Sequence, residues 1–413
     1  MPLATRALRR LLGIAGVALA ASWAVWRAAP AAAQDGPTFV FTPAPEYEFG
    51  QAITFTVEIE GATPIRQVDL HLAAPDGAQQ VWMDVPFEPG EPTTARLTLD
   101  LGQQSLAPFS TQTFWWVAVS EGKPEAISPA GTFDYNDNRF GWRSAGSGNL
   151  KVHWYSGSAE FGQAALEVAA GSLARINQDL RAPLPEHQDI YIYASAADIK
   201  ASLQRVGQPW ANGHADPALG IILVVAADDL RSAVTLEREI PHEMTHVLVY
   251  KATGDHFGEV PVWLNEGLAV MNQGERDSAY AARLAAARDA HAFLPLASLC
   301  GIFPTESDAA ALAYAQSESV VRYLRARFGS EGIYALLQAY ARGAACDTGL
   351  NTGLGLHLDE LEAAWLRDAI YAATEAPGRA SLGPWLVLSA LVVLSPFGAL
   401  WALMAGRQRA KPT

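Results

Sequence analysis

The sequence predicts an all-β sandwich followed by an α+β domain, with a single membrane-spanning helix near the C-terminus. Three observations carry that expectation. Residues 37–140 hold six or seven short runs in which apolar and polar residues alternate, the period of a half-buried strand. Residues 148–375 change to longer segments of helical period. Leu382 to Ala405 is uncharged and apolar throughout, long enough to cross a bilayer. A chain of 413 residues, 50% hydrophobic and 17% charged, has the apolar content for two cores and a membrane segment.

In chain order, residues 1–33 combine Arg6, Arg9 and Arg10, an apolar run from Leu11 to Trp26 and the small residues Ala31-Ala32-Ala33. That is the layout of a secretory signal, with cleavage expected after Ala33 and an uncleaved anchor as the alternative. The alternation then runs through Ile53, Phe55, Val57 and Ile59, through Val68, Leu70 and Leu72, through Val81, Met83 and Val85, and through Leu97, Leu99 and Leu101. Pro75-Asp76-Gly77 and Pro89-Gly90 are turn signals between them, and Thr113 to Val119 and Gly131 to Tyr135 complete the set. Such a sequence predicts an antiparallel sandwich over 37–140 that resembles immunoglobulin or fibronectin type III domains, without a cysteine pair. Trp115 and Trp116 are neighbours on one strand, so they face opposite ways and one belongs in the core. A spacer or docking role is expected for this domain rather than carbohydrate binding.

Residues 136–148 are polar and Gly-rich and read as a linker. Beyond it Leu150 to Tyr155 reads as a strand. Phe161 to Leu180 reads as a helix with Leu166, Ala169, Leu173, Ile176 and Leu180 on one stripe. Asp189 to Tyr193 is a short strand, Ser195 an N-cap for a helix from Ala196 to Val206, and Leu219 to Ala226 an almost wholly apolar strand. Leu236 to Ala252 and Val262 to Gln273 are helices, followed by Ala-rich helical stretches at 275–292, 308–328, 330–341 and 358–371. Pro241 starts or kinks the first of that pair, leaving the residues after it in register.

That helix carries Pro241-His242-Glu243-Met244-Thr245-His246. Two histidines four apart on a helix project from one face, one turn from each other, so both imidazoles reach a single cation. A hydrolytic zinc site usually takes three protein ligands and keeps a position for water. Glu266, in Trp263-Leu264-Asn265-Glu266-Gly267, is the best candidate for the third ligand if the second helix packs antiparallel to the first. Glu243 points to another face, where a carboxylate can take a proton from water as general base.

Around these residues the chain resembles the gluzincin metallopeptidases, in particular the bacterial peptidase MA-like families related to thermolysin and the membrane alanyl aminopeptidases. The likeness rests on His242-Glu243-Met244-Thr245-His246 and on Pro261 to Val270. It extends more weakly through Ala313 to Ser317 and Tyr323 to Gly329, about half of the chain in all. It implies Zn2+ as cofactor, a thermolysin-like α+β domain over 148–375, and Tyr314 as a hydrogen-bond donor to the developing oxyanion. The bland alternative for Tyr314 is a core aromatic. It further implies that the strand before the zinc helix, Gly213 to Asp216 leading into Ile221 to Val225, is the sheet edge bordering the cleft. An interior strand is the alternative there, because a continuous apolar run often means burial on both faces. The chain departs from the family at Val270, where thermolysin has an Asp that orients the first histidine. It also lacks the Gly-x-Met-Glu-Asn motif with which the aminopeptidases hold a free amine, so exopeptidase chemistry is not supported.

A net charge of −14 and a pI near 5.1 exclude a nucleic-acid partner that needs a basic face. Cys300 and Cys346 lack the spacing of a zinc knuckle, and could form one disulfide in an oxidising compartment. Trp385 and Trp401 suit the ends of the span at 382–405, and Arg407, Arg409 and Lys411 place the tail, 406–413, in the cytoplasm. The expectation is thus a single-pass protein of the cell membrane with its catalytic domain extracytoplasmic, a zinc endopeptidase acting on peptide or protein substrates. The competing classes are a noncatalytic surface binding or adhesion protein with a vestigial peptidase lobe, and a zinc hydrolase of a non-peptide amide.

Overall fold

Between Thr38 and Tyr135 the alternating segments become ten strands: β1 (Thr38–Phe41), β2 (Glu46–Glu48), β3 (Ala52–Glu60), β4 (Ile65–Ala73), β5 (Gln80–Asp84), β6 (Phe87–Glu88), β7 (Thr93–Asp100), β8 (Ser110–Ser120), β9 (Ala126–Ile127) and β10 (Gly131–Tyr135). The computed structural model describes residues 37–372, apart from 42–43, 62–63, 74–79, 103–105, 204–212 and 275–276. One sheet runs β1-β3-β7-β6 with β2 paired to β3, the other β10-β8-β4-β5 with β9 paired to β8, all antiparallel. Their inward residues, among them Ile53, Phe55, Leu70, Phe114 and Trp116, form one core. Trp115 faces the other way and stacks on His71 with ring centroids 5.1 Å apart.

A third sheet begins inside the stretch read as a linker. Arg143–Ser147 is strand β11, and β12 (Leu150–Trp154), β13 (Gln188–Tyr193), β14 (Gly213–Asp216) and β15 (Ile221–Val225) follow in the order β11-β12-β13-β15-β14. An outer strand has a neighbour on one side only and is largely exposed, so the small polar residues of β11 suffice. The β12, β13 and β15 strands are parallel, and β11 and β14 run antiparallel at the two edges. Hence Ile221–Val225 is not the edge. It lies between β13 and β14 with four of its five residues buried, and the edge belongs to Gly213–Asp216.

One face of this sheet packs against α1 (Ala159–Leu180) and, later in the chain, α3 (Ser232–Thr253). Val152, Ile190, Ile222 and Val224 meet Leu166, Ile176, Leu236, Ile240 and Met244 there. The other face carries Tyr191, Tyr193, Ile221 and Leu223 with Ile199 of α2 (Ala196–Ser202), under Phe109, Phe140 and Trp142 from the side of the sandwich. Fully buried Asp137 pins that face, accepting from Arg139 and from the Tyr193 hydroxyl at 2.9 Å, while its carbonyl accepts from Trp142 Nε1.

The helical remainder comprises α3 (Ser232–Thr253), α4 (Val262–Asn272), α5 (Ser278–Ala290), α6 (Ser307–Tyr340), α7 (Cys346–Leu354) and α8 (Leu358–Trp365). The α6 helix joins two segments expected separately, with a break at Gly329, whose φ of 66° is a left-handed value. Cys300 and Cys346 are disulfide-bonded, tying the turn after α4 and α5 to the start of α7.

The fold class expected from sequence is corrected at its C-terminal part. Among the described residues no helix is long and apolar enough to cross a membrane. The structure therefore supports a β-rich N-terminal region and a helical domain on a mixed sheet, with no transmembrane helix among the described residues. The expected span at 382–405 lies outside the described residues, as do the expected signal at 1–33 and tail at 406–413. Placement at the cell membrane as a single-pass protein, with membrane attachment through such a helix, is corrected with it, since no helix among the described residues could span a bilayer.

Candidate metal centre

The α3 helix brings His242 and His246 onto one face with ring centroids 5.0 Å apart, as four-residue spacing requires. The α4 helix packs across it through Trp263, Leu264 and Leu268, all fully buried. Pro261 at its N-cap sets the first turn, and Glu266 then projects between the histidines. Its Oε2 lies 3.6 Å from His242 Nε2 and 3.8 Å from His246 Nε2. Among the described residues these three form the group whose ligand atoms converge, all within 4.8 Å of one another. That oxygen is buried and has no hydrogen-bond partner, a costly state for a carboxylate unless a cation sits beside it. Two imidazole nitrogens and a carboxylate oxygen are a donor set that suits zinc, so the residues present fit the metal.

The far ring nitrogens are also occupied. His246 Nδ1 is 3.0 Å from Asn265 Oδ1, so it carries the proton and leaves Nε2 free to coordinate. His242 Nδ1 is 2.9 Å from the Gln273 carboxamide nitrogen. A half-turn of that amide presents its oxygen instead, the atom that accepts when Nε2 binds a metal and Nδ1 is protonated. The first histidine thus has Gln273 against its far nitrogen, a contact that the apolar Val270 cannot make. The sequence signal of Gln273 was spacing: 273 is seven residues, two helical turns, after Glu266 and so on the same face.

The electrostatics call for positive charge. Burial alone would lower the pKa of His242, but Glu266, Glu243 and Glu239 outweigh it and push it up to about 9. Burial holds His246 below its usual value despite Glu266. Burial works against Glu266 too, yet His246 and His242 prevail and keep its carboxyl below the ordinary range. Burial, reinforced by Glu266 and Glu239 and opposed by His242, raises Glu243 to about 8. Three carboxylates around two imidazoles recruit a proton where a divalent cation would serve them all.

Glu243 is 6% exposed and lies against the edge strand β14. A Cβ at Gly213 would stand 2.3 Å from Glu243 Oε1, so any side chain there would displace the carboxylate. The resemblance pointed to Gly213–Asp216 as bordering the cleft, but the fit of Gly213 against Glu243 was not legible, because a strand of Gly-His-Ala-Asp has no β-branched residue to announce its pairing. Gly267 allows a second close approach. A Cβ there would lie 2.5 Å from the Ser317 carbonyl oxygen of α6. The close contact carries Tyr314, one turn earlier, toward the centre, where burial first and then Glu266, Tyr280 and Glu243 raise its hydroxyl pKa. The Tyr314 ring meets Phe303 edge-on at 5.0 Å. His242, Glu243, His246 and Glu266 are therefore brought into one neighbourhood, with Tyr314 near enough for Glu266 and Glu243 to act on its hydroxyl.

Residues 168–372 match the family model of the peptidase MA superfamily. No curated protein matches the chain. Among solved structures, OgpA from Akkermansia muciniphila aligns with 25% of this chain and 28% of its own length, at 10% identity and a TM-score of 0.20. The chain thus spans less than a third of that protein. A mutant M1 zinc metallopeptidase from Deinococcus radiodurans bound to a Tyr-Ser-Ala substrate aligns over 80% of this chain and 93% of its own, at 16% identity and a TM-score of 0.32. An aminopeptidase N family protein from Idiomarina loihiensis aligns over 81% and 76%, at 11% identity and a TM-score of 0.38. Over residues 168–372, which hold His242, Glu243, His246, Glu266 and Tyr314, the chain belongs to the peptidase MA superfamily.

Proposed function

We propose that this protein is a zinc-dependent endopeptidase that hydrolyses internal peptide bonds of peptide or protein substrates. The observation that carries the zinc reading is the buried Glu266 Oε2, which lacks a hydrogen-bond partner and faces both histidine Nε2 atoms. Zinc held by His242, His246 and Glu266 would supply a Lewis acid for the scissile carbonyl and lower the pKa of a coordinated water. Glu243 accepts the proton of the attacking water on its carboxylate and passes it to the leaving amine nitrogen. The Tyr314 hydroxyl donates to the oxyanion as it forms. Asn265 and Gln273 hold the imidazoles in the tautomer that keeps Nε2 available.

Endopeptidase specificity is supported by β14. It pairs with β15 on one side and has no partner strand on the other among the described residues, and Gly213 places that edge against Glu243. An extended substrate added to such an edge is held by its backbone, and no terminal group is needed. Peptides blocked at both ends should be cut at internal bonds at least as fast as their free-amine forms, with cleavage lost on chelation. The comparison is a mass-spectrometric time course on matched blocked and unblocked peptides; strict dependence on a free N-terminus would overturn the endopeptidase reading.

A further inference from the structure

Pro241 lies in the interior of α3, directly before the first histidine, where proline ordinarily costs a helix a hydrogen bond. The bond lost is the one from residue 241 to the carbonyl four residues earlier, that of Glu237. This carbonyl is not left unpaired, because the Gly274 backbone N–H donates to it at 2.9 Å from just past the end of α4. Gly274 follows Gln273, the residue against His242 Nδ1, and Gln273 itself has turned out of the helix into extended backbone with ψ of 146°.

We propose that Pro241 is a positioning residue, which frees the Glu237 carbonyl so that the end of α4 docks there and sets Gln273 against His242. A residue with an N–H at 241 would compete for the same oxygen from within the helix, and the proline ring also pushes that carbonyl outward, toward the incoming donor. The neighbouring tethers hold the same end of α4 without reaching the histidine. Asn272 Nδ2 donates to Thr245 Oγ1 at 3.3 Å, and Arg175 donates to the Asn272 carbonyl at 3.0 Å. They fix Asn272, and the Gly274 bond fixes the residue beyond Gln273, so the side chain between is held from both sides. This assignment rests on the zinc reading above.

The test is zinc affinity, by competition with a chromogenic chelator, in the wild type, Pro241→Ala, Gln273→Ala, Gln273→Glu and the Pro241→Ala/Gln273→Ala double variant. The thermal midpoint of each zinc-free protein is measured alongside. Gln273→Ala should weaken zinc by about 10- to 100-fold, the range for losing a partner of a ligating histidine. Gln273→Glu, which keeps an acceptor for Nδ1–H, should restore most of it. Pro241→Ala should weaken zinc several-fold without lowering the zinc-free midpoint, since alanine is the better helix residue. The double variant should bind no more weakly than Gln273→Ala, because both changes act on one contact. Wild-type affinity in Pro241→Ala, or losses that multiply in the double variant, would overturn the proposal. A wild type that binds no zinc would instead overturn the zinc reading beneath it, and the wild-type titration tells the two failures apart.

Discussion

Glu243→Gln should retain its zinc and lose most of its activity, at least about 10²-fold in kcat, the range that a positioned acid or base contributes. The substitution keeps the shape of the side chain, so the close fit against Gly213 and the buried setting survive. It removes the capacity to take a proton. None of the three groups whose ligand atoms converge is altered, which is why metal content and turnover should separate in this variant. Zinc is measured by elemental analysis and turnover on a blocked peptide; equal turnover in the two proteins would sink the role assigned to Glu243.

The second large effect is expected from Glu266→Ala, which should lose most of its zinc and with it the activity. Glu266 is the carboxylate between the imidazoles, and its Oε2 approaches both Nε2 atoms. Without it the two histidines are left with solvent in place of an anionic ligand, so the loss should exceed the about 10- to 100-fold expected for an outer partner such as Gln273. Alanine is a strong helix former and α4 is anchored by Trp263, Leu264 and Leu268, so the fold should persist. Circular dichroism of the variant, run beside the metal analysis, separates loss of the site from loss of structure. Wild-type zinc content in a folded variant would remove Glu266 from the site.

The chemistry at α3 was legible because it depends on local geometry: a four-residue spacing on a helix fixes where His242 and His246 point whatever surrounds them. Strands such as Ala52–Glu60 were legible for the same reason, since their alternation at Ile53, Phe55, Val57 and Ile59 matches the burial found there. What escaped depends on tertiary pairing. Strand β11 is short, lies at a sheet edge and lacks branched residues, so nothing in its own sequence distinguishes it from linker. The apolar run at Ile221–Val225 was expected at the edge, yet its burial is that of an interior strand, and the polar Gly213–Asp216 takes the edge beside Glu243. Gln273 is visible as a partner of His242 only once α4 is docked on α3, which in turn involves a carbonyl that Pro241 leaves open. Whether Cys300 and Cys346 pair was open in the sequence for the same reason, and the fold joins them.

The most direct measurement is anomalous diffraction at the zinc absorption edge from crystals of the zinc-loaded protein. The account predicts a single peak about 2.0–2.2 Å from His242 Nε2, His246 Nε2 and a Glu266 carboxylate oxygen, the distances zinc keeps to nitrogen and oxygen ligands. No peak at that point, or a peak held by other residues while these three remain unliganded, would contradict it.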